Sequence, residues 1–374
     1  MENISNKALN RNYAVDLLKL FLCIGVLVSH VNYSFYGGVG DKSNLPESFI
    51  FLQKTVLKGM FNGTFNVYLF CIISGYFASQ KSLKTFKDLL YTCIRRYFLF
   101  FIPIFIFNVF CFIVYRFNLF YHIQLSYILN NDWLYNNYTK PLTILGMIKE
   151  SIVLGSAYNQ PLWMLPSLFL GNILNYFSSY LRNKIRFINI ITFVLLVIST
   201  IFIKQVKMFR LIITLATFSG DFINILTSIL SRKYIWLKRI ISFLLFVFIG
   251  NMSFSNETIL NWLYLISAII IITLFIVSFI KYETNNFFIF LTKISFEIYI
   301  VHWPCFLCST GGGIILLHNV LSYNVLYILS LLYTLIISVF LAYILKTICL
   351  LLIYSPEKKI ISQLKLLLQK KIRS

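Results

Sequence analysis

The chain reads as a succession of apolar blocks, each about 20 residues long, separated by short polar or basic connections. A hydrocarbon core of about 30 Å is crossed by roughly 20 helical residues, so each block is a candidate membrane helix. The blocks cover 14–34, 60–79, 97–117, 161–180, 187–203, 208–230, 238–254, 260–280, 287–307 and 324–353. They predict an all-α polytopic bundle of about ten spans. The seventh block is crowded at its start by Lys238 and Arg239, and the last is long enough to tilt or run past the membrane. The longest connection, 118–160, has room for a short re-entrant or interfacial helix around "NNDWLYNNYTK". No internal repeat has a legible period, and nothing outside the blocks is long enough to fold separately. A single domain over 1–374 is expected, its residues 355–374 forming a basic cytoplasmic tail.

Composition agrees with the pattern. Apolar residues make up 59% of the chain, charged residues 12%, and mean hydropathy is +0.80, against about 25% charged in soluble domains. Such a chain is neither a soluble enzyme, nor a disordered tail, nor a secreted disulfide scaffold. The net charge of +21 would suggest nucleic acid in a soluble protein. In a membrane protein it marks basic cytoplasmic loops, and no nucleic-acid partner is expected. With the N-terminus inside, roughly 21 Lys and Arg face the cytoplasm against 9 outside, which predicts that both termini are cytoplasmic. Lys204, Lys207 and Arg210 run against that count and suggest that the fifth or sixth block is misplaced. The first block is interrupted by Asp16 and Lys19 and has no small-residue cleavage site after it, so it reads as a retained helix. The tail "EKKIISQLKLLLQKKIRS" reads either as a basic amphipathic helix on anionic lipid or as a plain solvated tail. Cys23, Cys71, Cys93, Cys111 and Cys349 stand singly in apolar blocks as small hydrophobes. Cys305 and Cys308 form C-x2-C after His302, without the fourth ligand or polar turn of a zinc site. No metal is expected.

The ionisable residues inside the blocks need explaining, because burying them there is expensive. Positions 16, 19, 23, 26 and 30 follow helical spacing, so Asp16, Lys19, Cys23, Val26 and His30 share one face. Lys19 and His30 are separated by about 16 Å of helix rise. A stripe bearing an acid, a base and an imidazole belongs against the bundle interior or a water-filled cavity. A lone histidine is ordinarily a core residue bonded to backbone; the aligned charges favour a functional one. Ser74-Gly75-Tyr76 lies mid-block, where glycine commonly serves close helix packing. Arg95 and Arg96 open the third block as snorkelling anchors or phosphate ligands. Trp163 is a candidate interfacial aromatic. Ser295, Tyr299 and His302 share a face of the ninth block, which also carries Glu297.

Taken in order, these islands resemble the acyltransferase-3 family of integral membrane acyltransferases. The pattern is R-x4-D-x2-K-x10-H (Arg11, Asp16, Lys19, His30), S-G-Y (Ser74 to Tyr76), R-R with a following proline (Arg96, Pro103), P-L-W (Pro161 to Trp163) and S-x3-Y-x2-H (Ser295, Tyr299, His302). The islands run from residue 11 to about 304. Two positions depart from the usual form: Lys19 replaces an arginine, losing its planar fork, and Met164 replaces a phenylalanine. Some members carry a fused extracytoplasmic domain, which this chain is expected to lack.

The resemblance implies transfer of an acyl group, most often acetyl, from cytoplasmic acetyl-CoA or another acyl-CoA. The acceptor would be a sugar hydroxyl of a cell-envelope polysaccharide or its lipid-linked precursor, at a bacterial cytoplasmic membrane and with no permanently bound cofactor. His30 is then the candidate base, since a neutral imidazole suits proton removal near pH 7. Lys19, held by Asp16, would hold an anionic part of the donor or stabilise developing charge. Arg11, Arg95 and Arg96 would meet the donor phosphates. Ser74, Trp163, Tyr299 and His302 would line the substrate or support the base. The rival expectation is a transporter or flippase of a lipid-linked sugar or glycan, with Asp16, Lys19, Glu297 and His302 as relay residues. It calls for broken helices in paired halves, of which the sequence has no trace. A glycan polymerase would need a large outer loop, for which only 118–160 is available.

Overall fold

The computed structural model describes residues 13–36, 55–137, 142–182, 184–185, 187–202, 205–230, 233–252, 257–279 and 285–373. Side chains at 56–57, 201, 205–208 and beyond Leu352 are outside that description, as are Arg11 and the tail side chains. The fold is all-α, with no strand among the described residues. Helices coincide with each apolar block. They are α1 (Tyr13–Tyr36), α2 (Gly63–Ser79), α3 (Phe86–Arg116), α4 (His122–Ile128), α5 (Asp132–Tyr135), α6 (Ile144–Ile152), α7 (Leu165–Leu181) and α8 (Ile188–Phe202). The second half continues with α9 (Gln205–Phe218), α10 (Gly220–Ile229), α11 (Ile235–Gly250), α12 (Glu257–Ser278), α13 (Asn286–Lys293), α14 (Ser295–Cys305), α15 (Gly311–Leu317) and α16 (Tyr323–Arg373).

Among the described residues, five helical segments are long and apolar enough to cross a membrane: α1, α3, α12, the run Ser295–Leu317, and Tyr323–Leu352 of α16. A sixth arises if the pair Phe209–Phe218 and Gly220–Ile229, bent by 42°, is one span. Other blocks form helices of 10–17 residues, such as Gly63–Ser79, shorter than the length a straight crossing needs. Connection 118–160 folds into α4, α5, α6 and the start of a 3-10 turn, Gln160–Met164. Helix α16 runs without a break through Arg373, past the end of its apolar block.

Local chemistry sets several starts. Asn62 caps α2, its Oδ1 accepting the Phe65 N–H at 3.0 Å. Thr85 and Asp88 close a reciprocal capping box on α3. Helix α2 is buried along almost its whole length and packs against α1, α7, α9, α10 and α12. At its far end Gly75 meets the α9–α10 break. A Cβ on Gly75 would stand 1.6 Å from the Thr217 carbonyl oxygen, and one on Gly220 would stand 2.1 Å from the Tyr76 nitrogen. Only paired glycines permit that approach. Arg182, just after α7, joins this end through a 2.6 Å bond to the buried Asp221. Helix α14 lies between α1 and α16, and that position builds the site.

Candidate active site

The charged stripe of α1 faces the bundle interior and passes two cavities. Lys19 lines one of about 290 Å³, together with Ser74, Lys81, Arg96, Tyr176, Glu297 and Lys346. Val26 and His30 line a second, of about 200 Å³, with Ser29, Tyr33, Thr64, Trp133, Trp163 and Tyr299. Between them Phe70 and Tyr299 stack at 6.2 Å, with 15° between ring planes. Phe70 lines the first cavity and Tyr299 the second, so the stacked rings form a common wall. Cys23, buried on the same α1 face, stands between Lys19 and His30 in the stripe.

At the wall of the second cavity His30 meets the buried His302, His30 Nδ1 lying 2.9 Å from His302 Nε2. His302 Nδ1 lies 2.8 Å from the Tyr299 carbonyl oxygen. A carbonyl only accepts, so His302 Nδ1 carries the proton and, in the neutral ring, Nε2 is an acceptor. His30 must then donate from Nδ1, which leaves its Nε2 with a lone pair. Trp303 sits edge-on to His30 at 5.4 Å and Trp133 at 6.3 Å. Trp133 reaches this place because Asn131 Nδ2 donates to the carbonyls of Tyr33 and Ser34, at 2.7 and 2.8 Å, pinning α5 to the last turn of α1. The Tyr299 hydroxyl donates to the Pro161 carbonyl, and Asn159 Nδ2 donates to that of Ile300 at 2.5 Å. These bonds tie α14 to the turn carrying Trp163, which stacks on Phe209 at 5.0 Å.

The first cavity is cationic. Arg96 donates to Ser74 Oγ at 2.9 Å and lies 4.5 Å from the centroid of Phe100. Asn172 also donates to Ser74, at 3.2 Å. Lys19 is 3.8 Å from Asp16 and 5.6 Å from the centroid of Phe77. Lys346 bonds Glu297 at 2.8 Å. Lys81, in the connection after α2, lies over Tyr176. Partial desolvation beside the cavity, and then the nearby charges of Arg96 and Arg95, hold the ammonium of this solvent-exposed residue below the usual lysine range. Four cations against one carboxylate give the lining a positive excess.

An acyltransferase-domain family model matches residues 12–343. The chain belongs to the acyltransferase-3 family. No curated protein and no solved structure matches it. The enzyme is thus a membrane acyltransferase, and its expected site residues divide between the two cavities. His30, Trp163 and Tyr299 line one, with His302 bonded to His30 behind it; Lys19, Ser74 and Arg96 line the other, with Asp16 beside Lys19. The fold does not bring Lys19 to His30. Arg95 is exposed and does not line the acyltransferase's cationic cavity. Sequence reasoning missed Lys346, Lys81 and Trp133. Lys346 had a signal, since it is ionisable and lies inside an apolar block. Trp133 had none, because its place depends on where α5 docks.

Proposed function

We propose that the enzyme moves an acetyl or other short acyl group from a cytoplasmic acyl-CoA to a sugar hydroxyl of a cell-envelope glycan or its lipid-linked precursor. The observation that carries the reading is the chain from His30 through His302 to the Tyr299 carbonyl, which leaves one imidazole lone pair for a substrate proton. A sugar hydroxyl placed beside Trp163 and Trp133 loses its proton to His30 Nε2 as its oxygen attacks the thioester carbonyl. The C–S bond then breaks, and the proton passes from His30 to the departing thiolate. His302 is the positioning residue that fixes the His30 tautomer.

The donor phosphates are held by Arg96, Lys81, Lys19 and Lys346, in keeping with the excess of cations around that cavity. The thioester arm then passes alongside Phe70 and Tyr299 towards His30, the two rings packing against it. Ten membrane segments with both termini in the cytoplasm suit this direction of transfer, because Lys19 lies nearer the N-terminal end of α1 and His30 nearer the other. A bacterial cytoplasmic membrane would supply both substrates. A transporter is the weaker reading, since two ion pairs occupy carboxylates that would have to relay protons. Mass spectrometry of envelope glycans from cells with and without the protein tests the proposal. A difference of one acyl unit on a sugar is expected, and identical glycans would overturn it.

A further inference from the structure

Among the cations of the first cavity stands one buried carboxylate. Glu297 on α14 has a side chain only 4% exposed. Its Oε1 accepts from Lys346 at 2.8 Å, whereas its Oε2 is buried with no hydrogen-bond partner among the described residues. Glu297 also lines the cavity, beside Phe70, Ser74 and Arg96. An ionised carboxylate oxygen accepts and does not donate. Leaving it unpaired costs more than leaving a neutral acceptor so. An anionic headgroup cannot satisfy it, because like charges repel. The partner that would satisfy it is an N–H or O–H donor on whatever fills the cavity.

We propose that Glu297 Oε2 accepts an amide N–H from the thioester arm of the donor. The inference rests on reading this cavity as the acyl-CoA site. In that donor the charge sits on the phosphates, and the arm leading to sulfur is neutral and carries amide N–H groups, the nearer one two methylenes from the sulfur. Glu297 precedes His302 by five positions on one helix, about 7.5 Å of rise. Glu297 therefore lies in the cationic cavity at a level on α14 below that of His302, within the span of an arm whose thioester approaches His30. A hydrogen bond to an ionised acceptor is roughly twice as strong as a neutral one. Lys346 engages Oε1, which leaves Oε2 as the oxygen available to the ligand. Glu297 is thus a donor-selecting residue: it favours thioesters on an amide-bearing arm over plain ones.

The test uses the full chain in lipid nanodiscs, with acetyl-CoA and an analogue methylated on its arm amide nitrogens. The wild-type enzyme should show a donor KM about tenfold or more higher for the methylated donor, with kcat changed less. Glu297→Leu should raise the KM for acetyl-CoA by a similar factor and lose the discrimination. Glu297→Gln, which keeps a carbonyl acceptor in the same shape, should retain part of it. Adenosine 3′,5′-bisphosphate, which has phosphates but no arm, should bind both variants at least as tightly as the wild-type enzyme, since Lys346 loses its neutralising carboxylate. Undiminished discrimination in Glu297→Leu, or an unchanged KM for acetyl-CoA in that variant, would overturn the role of Glu297 alone. Failure of the wild-type enzyme to bind the bisphosphate or acetyl-CoA would instead remove the donor cavity and this inference with it.

Discussion

His30 on α1 and His302 on α14, 272 positions apart in the chain, share a 2.9 Å hydrogen bond between ring nitrogens. Because His302 spends its other nitrogen on the Tyr299 carbonyl, the bond has one consistent direction when both rings are neutral. Replacing His30 with alanine should leave membrane insertion and abundance intact. Acyl transfer should fall by about two orders of magnitude or more, the usual cost of losing a general base. His302→Leu removes the acceptor for His30 Nδ1 and should lower kcat by at least about tenfold, with a displaced acid limb in the pH–rate profile. His302→Gln can still accept that proton through its carbonyl and should recover part of the rate. Equal losses in the two His302 variants would indicate a packing role.

Lys19 lies with Arg96 rather than with His30, so its loss should be felt on the donor. Lys19→Arg keeps the charge and should retain substantial activity. Lys19→Met should raise the donor KM and leave the pH profile set by His30 unchanged. It also deprives Asp16 of its ammonium, so abundance should be measured alongside. A folded Lys19→Met variant with normal KM would mark Lys19 as a snorkelling side chain.

Phe70 and Tyr299 wall one cavity from the other. Truncating Phe70 to alanine opens that wall, removing roughly 3–5 kcal/mol of packing if the site does not collapse. Water then reaches the thioester. Release of free thiol from acetyl-CoA without acceptor should rise in Phe70→Ala, measured with a thiol reagent. A hydrolysis rate equal to that of the wild-type enzyme would show that the rings form no barrier.

Lys81 carries an ammonium held below the usual lysine range, principally by partial desolvation and then by Arg96 and Arg95. The protonated form attracts phosphate, so donor affinity is present below the folded-state value and is lost as pH rises through it. Donor KM should therefore climb in alkaline solution, at lower pH than an ordinary lysine would impose. Lys81→Arg stays charged throughout and should flatten that climb; an identical pH dependence in the variant would exclude Lys81.

Reporter fusions address the side of each cavity. A fusion after residue 374 and one within 81–85 should report the cytoplasm, and one within 121–137 should report the outside. An exterior C-terminus would require an odd number of crossings and would exchange the two sides.

The amino-acid sequence determined what the bilayer enforces. Apolar blocks with few charges have to become helices, because no other open structure satisfies its backbone in hydrocarbon. The α1 stripe was equally legible, since Asp16, Lys19, Cys23, Val26 and His30 share a face by helical geometry alone. Which partners meet that stripe is a different kind of fact. Nothing local tells that Glu297 takes Lys346, that Asn131 carries Trp133 over His30, or that the wall of Phe70 and Tyr299 sends Lys19 and His30 to different cavities. Those contacts join residues far apart in the chain, and they exist only once α14 has packed between α1 and α16 and α5 has docked on the end of α1. Helix length is likewise decided by packing: the short helix α2 is buried on every side by its neighbours, so its polar Asn66 and Ser74 are tolerated where a lipid-facing helix would exclude them.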